Sequence, residues 1–375
     1  MNGQWLGHYT GSIDGVEGEI NGRVVVNVDE LPIAFEVIAY AISDNNTLPL
    51  PVAYFNTPNK ERTFQCRTGL MATVDGTAGV LAPWAQVADR FPGVLFPEYA
   101  DISGTWNEHT LTVEWVTNIG SRGHATLPRS AATTPSNLQA KPLTWEDFKQ
   151  HVGGLPHRHF LFRGQNTTKR LRTSFHRRGR AHIHRFITQD IPALYRHLSA
   201  RTKHVFNINN NEENGAFFNL IQHHGYPTPL LDWTYSPYVA AFFAYRNVNL
   251  ANPKQEEKVR ILLFDAPAWK LHWNQSGYLL VPPVHFSVME FSAIENERMI
   301  PQQAASTLTN IDDIESYIHE KEEEKGVQYL TAIDLPATDR KRVMRDLSTM
   351  GITAGSLFPG LDGACEELKE RFFES

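Results

Sequence analysis

Cysteine is scarce in this chain. Among 375 residues only Cys66 and Cys365 carry thiols, far apart and without metal-ligand spacing. That excludes a thiolate zinc site and suits a reducing, cytoplasmic compartment. Runs of 18 or more apolar residues are absent, so no membrane span is expected. The opening Met1-Asn2-Gly3-Gln4-Trp5 lacks the basic flank and apolar stretch of a secretion signal. What is there is ordinary for a globular protein: 41% apolar and 20% charged residues exclude disorder and a fibrous class. The length exceeds one typical domain, and two are expected.

Acids are missing from one region in particular. Between His157 and His204 stand 12 Lys/Arg against a single acid, Asp190, so this stretch carries +11 while the chain as a whole carries −6. So basic a segment in an acidic protein points to a polyanionic partner such as RNA or DNA. Pairing with acids elsewhere in the fold accounts for it equally well.

Residues 1–130 read as strands. Glycines 3, 7, 11, 15, 18 and 22 punctuate the start, Val24-Val25-Val26-Asn27-Val28 and residues 33–42 are rich in β-branched and aromatic types, and Asp75-Gly76 is a hairpin-type turn. Gly104-Thr105-Trp106 echoes Gly3-Gln4-Trp5, and Leu111-Thr112-Val113-Glu114-Trp115 alternates as a half-buried strand should. The expectation is an antiparallel barrel or sandwich of roughly eight strands, suited to partner binding rather than catalysis. Small polar residues at 131–139 mark a linker. Residues 140–375 switch to an α+β pattern: helices at 145 onward, 213–223, 237 onward, 315–325, 339–350 and 362–373, with strands at 159–164, 259–264 and 327–335. The basic stretch up to about residue 203 is expected to be largely helical.

The stretch from Gln222 to Ala244 organises this second region. Gly225, Pro227 and Pro229 argue against a helix or central strand there, so Asp232, Trp233, Thr234 and Ser236 are expected on a stiff loop. Ser236 reads as an N-cap with Pro237 at the first helical position, and Tyr238, Ala241, Phe242 and Tyr245 form the inward face. Polar groups at a helix N-terminus can receive an anion or a sugar. His157-x-His159 and His182-x-His184 lack a third ligand at suitable spacing, so no metal is expected. Ser236, His223 and Asp232 could be drawn as a triad, but no nucleophile elbow surrounds the serine.

Phe162-Arg163-Gly164, the turn Gln222-His223-His224-Gly225-Tyr226-Pro227-Thr228, Leu231-Asp232-Trp233-Thr234-x-Ser236-Pro237, Arg298 through Gln303, and Gly351 through Gly363 occur in order. Together they resemble the FRG domain family over roughly residues 140–375. Ala304 and Ser306 depart from the Gly and Phe usual there, and Pro229 from a frequent Arg. The motif order is also similar to ADP-ribosyltransferases of the Arg–Ser–Glu type. That resemblance implies an ADP-ribosyltransferase-like fold, NAD as substrate, and Phe162, Arg163, Gly164, Asp232, Trp233, Thr234, Ser236 and Tyr238 around it. Arg163 would grip phosphate oxygens with its fork, Gly164 would admit the ligand, and Trp233 or Tyr238 would stack on a ring. Gln302 or Gln303 occupies the place of the catalytic Glu; Glu297, or Glu295, stands just upstream to replace it. Arg163, Ser236, Gln302, Gln303 and Glu297 are thus the implied catalytic set.

Two functions follow from these readings. One is transfer of ADP-ribose to a macromolecule, with 157–204 binding a nucleic-acid acceptor, or to water; by analogy the role is that of a toxin or phage-defence effector. The other is a non-catalytic polyanion-binding module whose β domain engages a protein partner.

Overall fold

Alternation in the first 130 residues becomes nine strands: β1 (Gly3–Ile13), β2 (Ile20–Glu30), β3 (Phe35–Ser43), β4 (Pro51–Asn56), β5 (Thr63–Thr73), β6 (Leu81–Ala82), β7 (Tyr99–Trp106), β8 (Thr110–Thr117) and β9 (Ser121–Pro128). The computed structural model describes residues 1–14, 18–45, 49–73, 81–248, 257–280 and 283–374; the expected Asp75-Gly76 turn lies outside them. All pairings here are antiparallel, β4 joins β5 and β1 joins β9, and the eight long strands close into an up-and-down barrel with β6 on the side of β5. Closure leaves the eight strands no free edge, which decides between barrel and sandwich.

Inside the barrel lie Trp5, Val24, Val26, Val28, Phe35, Val37, Phe64 and Leu111. The alternate residues of the valine run point outward, and Val25, Ile38, Tyr40 and Val52 form a second buried patch against Val284 of the C-terminal region. Burial on both faces explains why that run is continuously apolar instead of alternating. Polar pins surround the patch. Asp29, 1% exposed, accepts the backbone N–H of Ala181 and His182 and the guanidinium of Arg180. Glu36 accepts from Arg185 at 2.8 Å and from the Tyr54 hydroxyl. Gln4 donates to Asn27 and to the Asn310 carbonyl and accepts from Asp312 N–H.

The C-terminal region is built on one sheet of β10 (Ala140–Pro142), β11 (Phe160–Gln165), β12 (Leu230–Thr234), β13 (Lys258–Asp265), β14 (Phe286–Met289), β15 (Ala304–Thr309) and β16 (Leu330–Pro336), in the order β10-β16-β13-β11-β12-β15-β14. Only β10–β16 is parallel among these pairings. One core gathers Trp145, Phe148, Phe162 and the helices Pro237–Tyr245 and Arg340–Thr349. Another gathers Leu161, Trp233 and Phe264 with the helices Ala266–His272 and Ile314–Lys325. Phe162 and Leu161 thus face opposite cores, as strand alternation requires. The segment at 131–139 packs rather than hanging free: the Ser136 hydroxyl meets Glu315 and Arg260. Among the described residues no helix is long and apolar enough to cross a membrane.

Leu230–Thr234 is a strand between β11 and β15, not the loop expected from its prolines. Both prolines precede the strand, so every residue within it keeps the N–H that a ladder needs. The basic stretch is partly helical: a short piece at Ser174–Arg177, then an unbroken run in which Ile183–Arg185, the π-helical Phe186–Asp190 and Ile191–Leu198 follow one another.

Candidate functional site

The motifs converge where the sheet parts. β11 and β12 share a single residue pair, Phe162 with Thr234, while β11 pairs with β13 over six residues. Beyond that pair Arg163 Nη1 donates to the Asp232 carbonyl at 2.6 Å, closing the gap with a side chain where a ladder bond would stand. Its Nε is buried and has no partner among the described residues. Burial pulls the Arg163 guanidinium down to about 10, the Asp232 carboxylate pushes it up and Arg177 pushes it down, so it remains a cation at neutral pH. A buried guanidinium N–H without an acceptor is costly, and a ligand oxygen would relieve that cost.

The family turn is pinned to the same point. Gln222 donates to the Asp232 carboxylate and accepts from the Thr228 hydroxyl. The Thr228 backbone N–H donates to the Ser174 hydroxyl, and its carbonyl accepts from that hydroxyl and from Phe175 N–H. Arg298 donates to the His223 carbonyl at 3.2 Å and lies over the Phe358 ring, 5.4 Å from its centre. Gln302 is buried and its amide donates to the Leu357 carbonyl.

These groups enclose a cleft of about 940 Å³. Its lining includes Arg163, Lys169, Arg170, Arg172, Arg177 and Arg298, and among the described residues Asp232 is the sole carboxylate residue of the lining. Arg170 pairs with Asp313 and Arg172 with Asp312, so their charge is largely met within the fold. Arg177, Lys169 and Arg163 have no ion-pair partner among the described residues. Burial lowers the Arg177 pKa, opposed by Asp232.

Several expected site residues serve the fold. Ser236 does not line the cleft: its hydroxyl caps the helix Pro237–Tyr245 by accepting from Val239 N–H. Such a cap is worth about 1 kcal/mol. Trp233 belongs to the cleft lining but is 2% exposed, with its indole N–H on Thr307 Oγ1, so it offers little ring face to a ligand. Thr234 reaches the cleft but spends its hydroxyl on the Gln302 carbonyl. Tyr238 packs edge-on against Trp145 in the core beside the helix. Gln303 is exposed outside the lining, at φ 46°. Glu297 is also exposed and outside it, and Glu295 accepts instead from His204 N–H. The expected negative charge at those positions is therefore not in the cleft.

Gly164 lines the cleft, but its lack of a side chain answers to a helix. A Cβ there would sit 1.8 Å from the Ala240 carbonyl oxygen. Residues not foreseen at the site include Arg177, Arg172, Lys169 and the segment 132–135. The charge run carried a signal for the cations; nothing local marked the segment.

Residues 158–252 match the FRG domain family. The chain contains an FRG domain. No curated protein matches the chain. The match ends before Arg298, Gln302 and Phe358, which complete the cleft of the FRG domain from later in the chain. Within the basic stretch, Arg170, Arg172, Arg180 and Arg185 are held by Asp313, Asp312, Asp29 and Glu36. Arg158 lies over Tyr235 at 4.0 Å. The positive charge of the FRG domain is thus partly an internal matter. Among the described residues no group of three or more His, Cys, Asp or Glu side chains could hold a metal ion.

Proposed function

We propose that the cleft of the FRG domain binds NAD through its phosphates and transfers the ADP-ribose to a macromolecule. The observation that carries this reading is the buried, partnerless Nε of Arg163 beside Arg177 in a cleft of about 940 Å³. A forked guanidinium matches two phosphate oxygens at once. Transfer breaks the bond from the ribose to nicotinamide and forms one to the acceptor nucleophile, with positive charge building on the sugar between the two. A carboxylate would stabilise that charge. Asp232 is the candidate, in place of Gln302, Gln303 and Glu297, because it is the carboxylate in the lining.

Purified chain incubated with labelled NAD and total RNA, DNA and protein should release nicotinamide and label one acceptor class. Arg163→Ala should lower turnover by about a hundredfold, in the range for losing a charged transition-state contact, and Asp232→Asn should do the same without weakening NAD binding. Absence of nicotinamide release with every acceptor would end the transferase reading.

One observation favours a second reading, a non-catalytic polyanion-binding cleft. The Asp232 carboxylate and the Thr234 and Ser236 hydroxyls are all engaged within the fold. On that reading affinity for RNA or DNA falls steeply with salt and ignores NAD.

A further inference from the structure

We propose that the barrel interior is a binding site for a short aliphatic molecule carrying one uncharged polar end. Eight-stranded barrels are just wide enough for side chains to fill, or to hold one small ligand. This one is not filled. Ala39, Ala41, Ala53 and Ala100 line a cavity of about 120 Å³, together with valines and the ring of Phe64. Protein interiors rarely leave such voids, and those they leave cost stability unless occupied.

Chemistry and shape define the occupant. Among the described residues of the lining, side-chain hydroxyls come from Thr117 and Ser121, 2.6 Å apart, and the other side chains are apolar. A dry cavity of this size takes a group of about five or six carbons, judging from benzene in an engineered cavity of about 150 Å³. The end near the start of β1 is plugged: Trp5 is fully buried with its indole N–H on the Met1 carbonyl, and Phe35 meets Trp106 edge-on at 5.8 Å. At the opposite end a second pocket of about 130 Å³ adjoins it and shares Ala41, Pro51, Pro97, Trp115 and Ser121 with it. The molecule therefore enters past Ser121, tail first. Its head stays at that mouth, beside the hydroxyls of Ser12, Ser43 and Ser121. Among the described residues of the mouth lining, Arg122 is the cation and is paired with Asp14 at 2.8 Å, so they offer no unpaired charge to the head.

Calorimetric titration of the full chain with 1-hexanol, hexane-1,6-diol and hexanoate tests this independently of the NAD reading. 1-Hexanol should bind saturably at one site with a negative heat-capacity change, the mark of apolar burial. Hexanediol, polar at both ends, and hexanoate should each bind at least tenfold more weakly. Ala53→Leu should fill the cavity and weaken hexanol at least tenfold; Ala39→Leu serves if the first variant does not fold. No saturable binding of hexanol overturns the proposal, as does undiminished binding in a filled variant with unchanged circular dichroism. Hexanoate binding as tightly as hexanol overturns the uncharged end.

Discussion

The barrel and the C-terminal region that holds the FRG domain both rest on largely antiparallel sheets, yet their cavities are opposites. In the barrel the ring of strands closes, and alanines leave the space empty and apolar. In the FRG domain β11 and β12 part after one residue pair, and the opening collects cations. One cavity comes from missing side-chain volume, the other from missing backbone pairing. A closed ladder leaves few main-chain polar groups unpaired, whereas an interrupted one frees groups that a polar side chain can satisfy, and Arg163 does so on the Asp232 carbonyl. Part of the basic stretch is neutralised from the barrel and so contributes no charge to the opening. Asp29 and Glu36 sit on the barrel and hold Arg180 and Arg185 at the seam.

The contrast breaks most severely if the seam is cut. Asp29 is buried and accepts from two backbone N–H groups and from Arg180, which also reaches Asp190 at 2.9 Å. Asp29→Ala leaves those donors facing an apolar methyl. Removing one partner of a buried pair costs about 3–5 kcal/mol. Urea unfolding of the variant should show the barrel and the C-terminal region melting apart, with the latter first. Asp29→Asn keeps one acceptor and should fall between variant and parent. A single unshifted transition for Asp29→Ala would mean that the seam contributes nothing.

Gly164→Ala sharpens the comparison from the other side. The new methyl would meet the Ala240 carbonyl oxygen at 1.8 Å and the Ala244 nitrogen at 2.7 Å, both main-chain atoms of the helix Pro237–Tyr245. Overpacking of this kind costs about 1–3 kcal/mol, readable as a lower midpoint in the same urea titration. Ligand affinity at the cleft should drop too, because β11 must move. An unchanged midpoint would show that the helix yields freely.

That glycine also marks how far the sequence could be read. Its place beside Arg163 was visible in the motif, and its cause was not, since Ala240 lies 76 positions further on. Local signals succeeded where the physics is local. Thr144 and Ser236 cap their helices as their sequence context predicts, and alternation gave the barrel strands. Closure of the barrel was hidden because the pairing of β1 with β9 joins residues more than 100 apart. The strand Leu230–Thr234 was masked by prolines that only precede it. Site residues divided on the same line. Arg163 was legible from its chemistry and Ser236 from its capping position, which commits its hydroxyl to Val239 N–H, but the Thr234 hydroxyl looked available only because its partner, the Gln302 carbonyl, could not be assigned from sequence.

Acid provides the gentlest test of the seam. His182 is buried there with its Nδ1 accepting from Arg185 N–H. Burial lowers its pKa to about 4; Asp29 and Glu36 push it up and His184 pushes it down. An unfolded histidine titrates near 6.5. Between these two values the unfolded chain binds a proton that the folded chain refuses, so stability falls as pH falls through that window. The His182 contribution is complete above about pH 6.5 and gone below about 4, with a slope of at most about 1.4 kcal/mol per pH unit. His182→Asn keeps an acceptor for Arg185 N–H and removes the titration. Its stability should lie slightly below the parent at pH 7 and decline less steeply by pH 5, so that the two curves converge or cross. His176, buried beside Thr173 in the FRG domain with its pKa likewise lowered to about 4, titrates in both proteins and cancels from the difference. His184 and His285, whose pKa values burial also lowers, titrate in both proteins as well; parallel slopes for parent and variant would mean that His182 does not set the acid sensitivity.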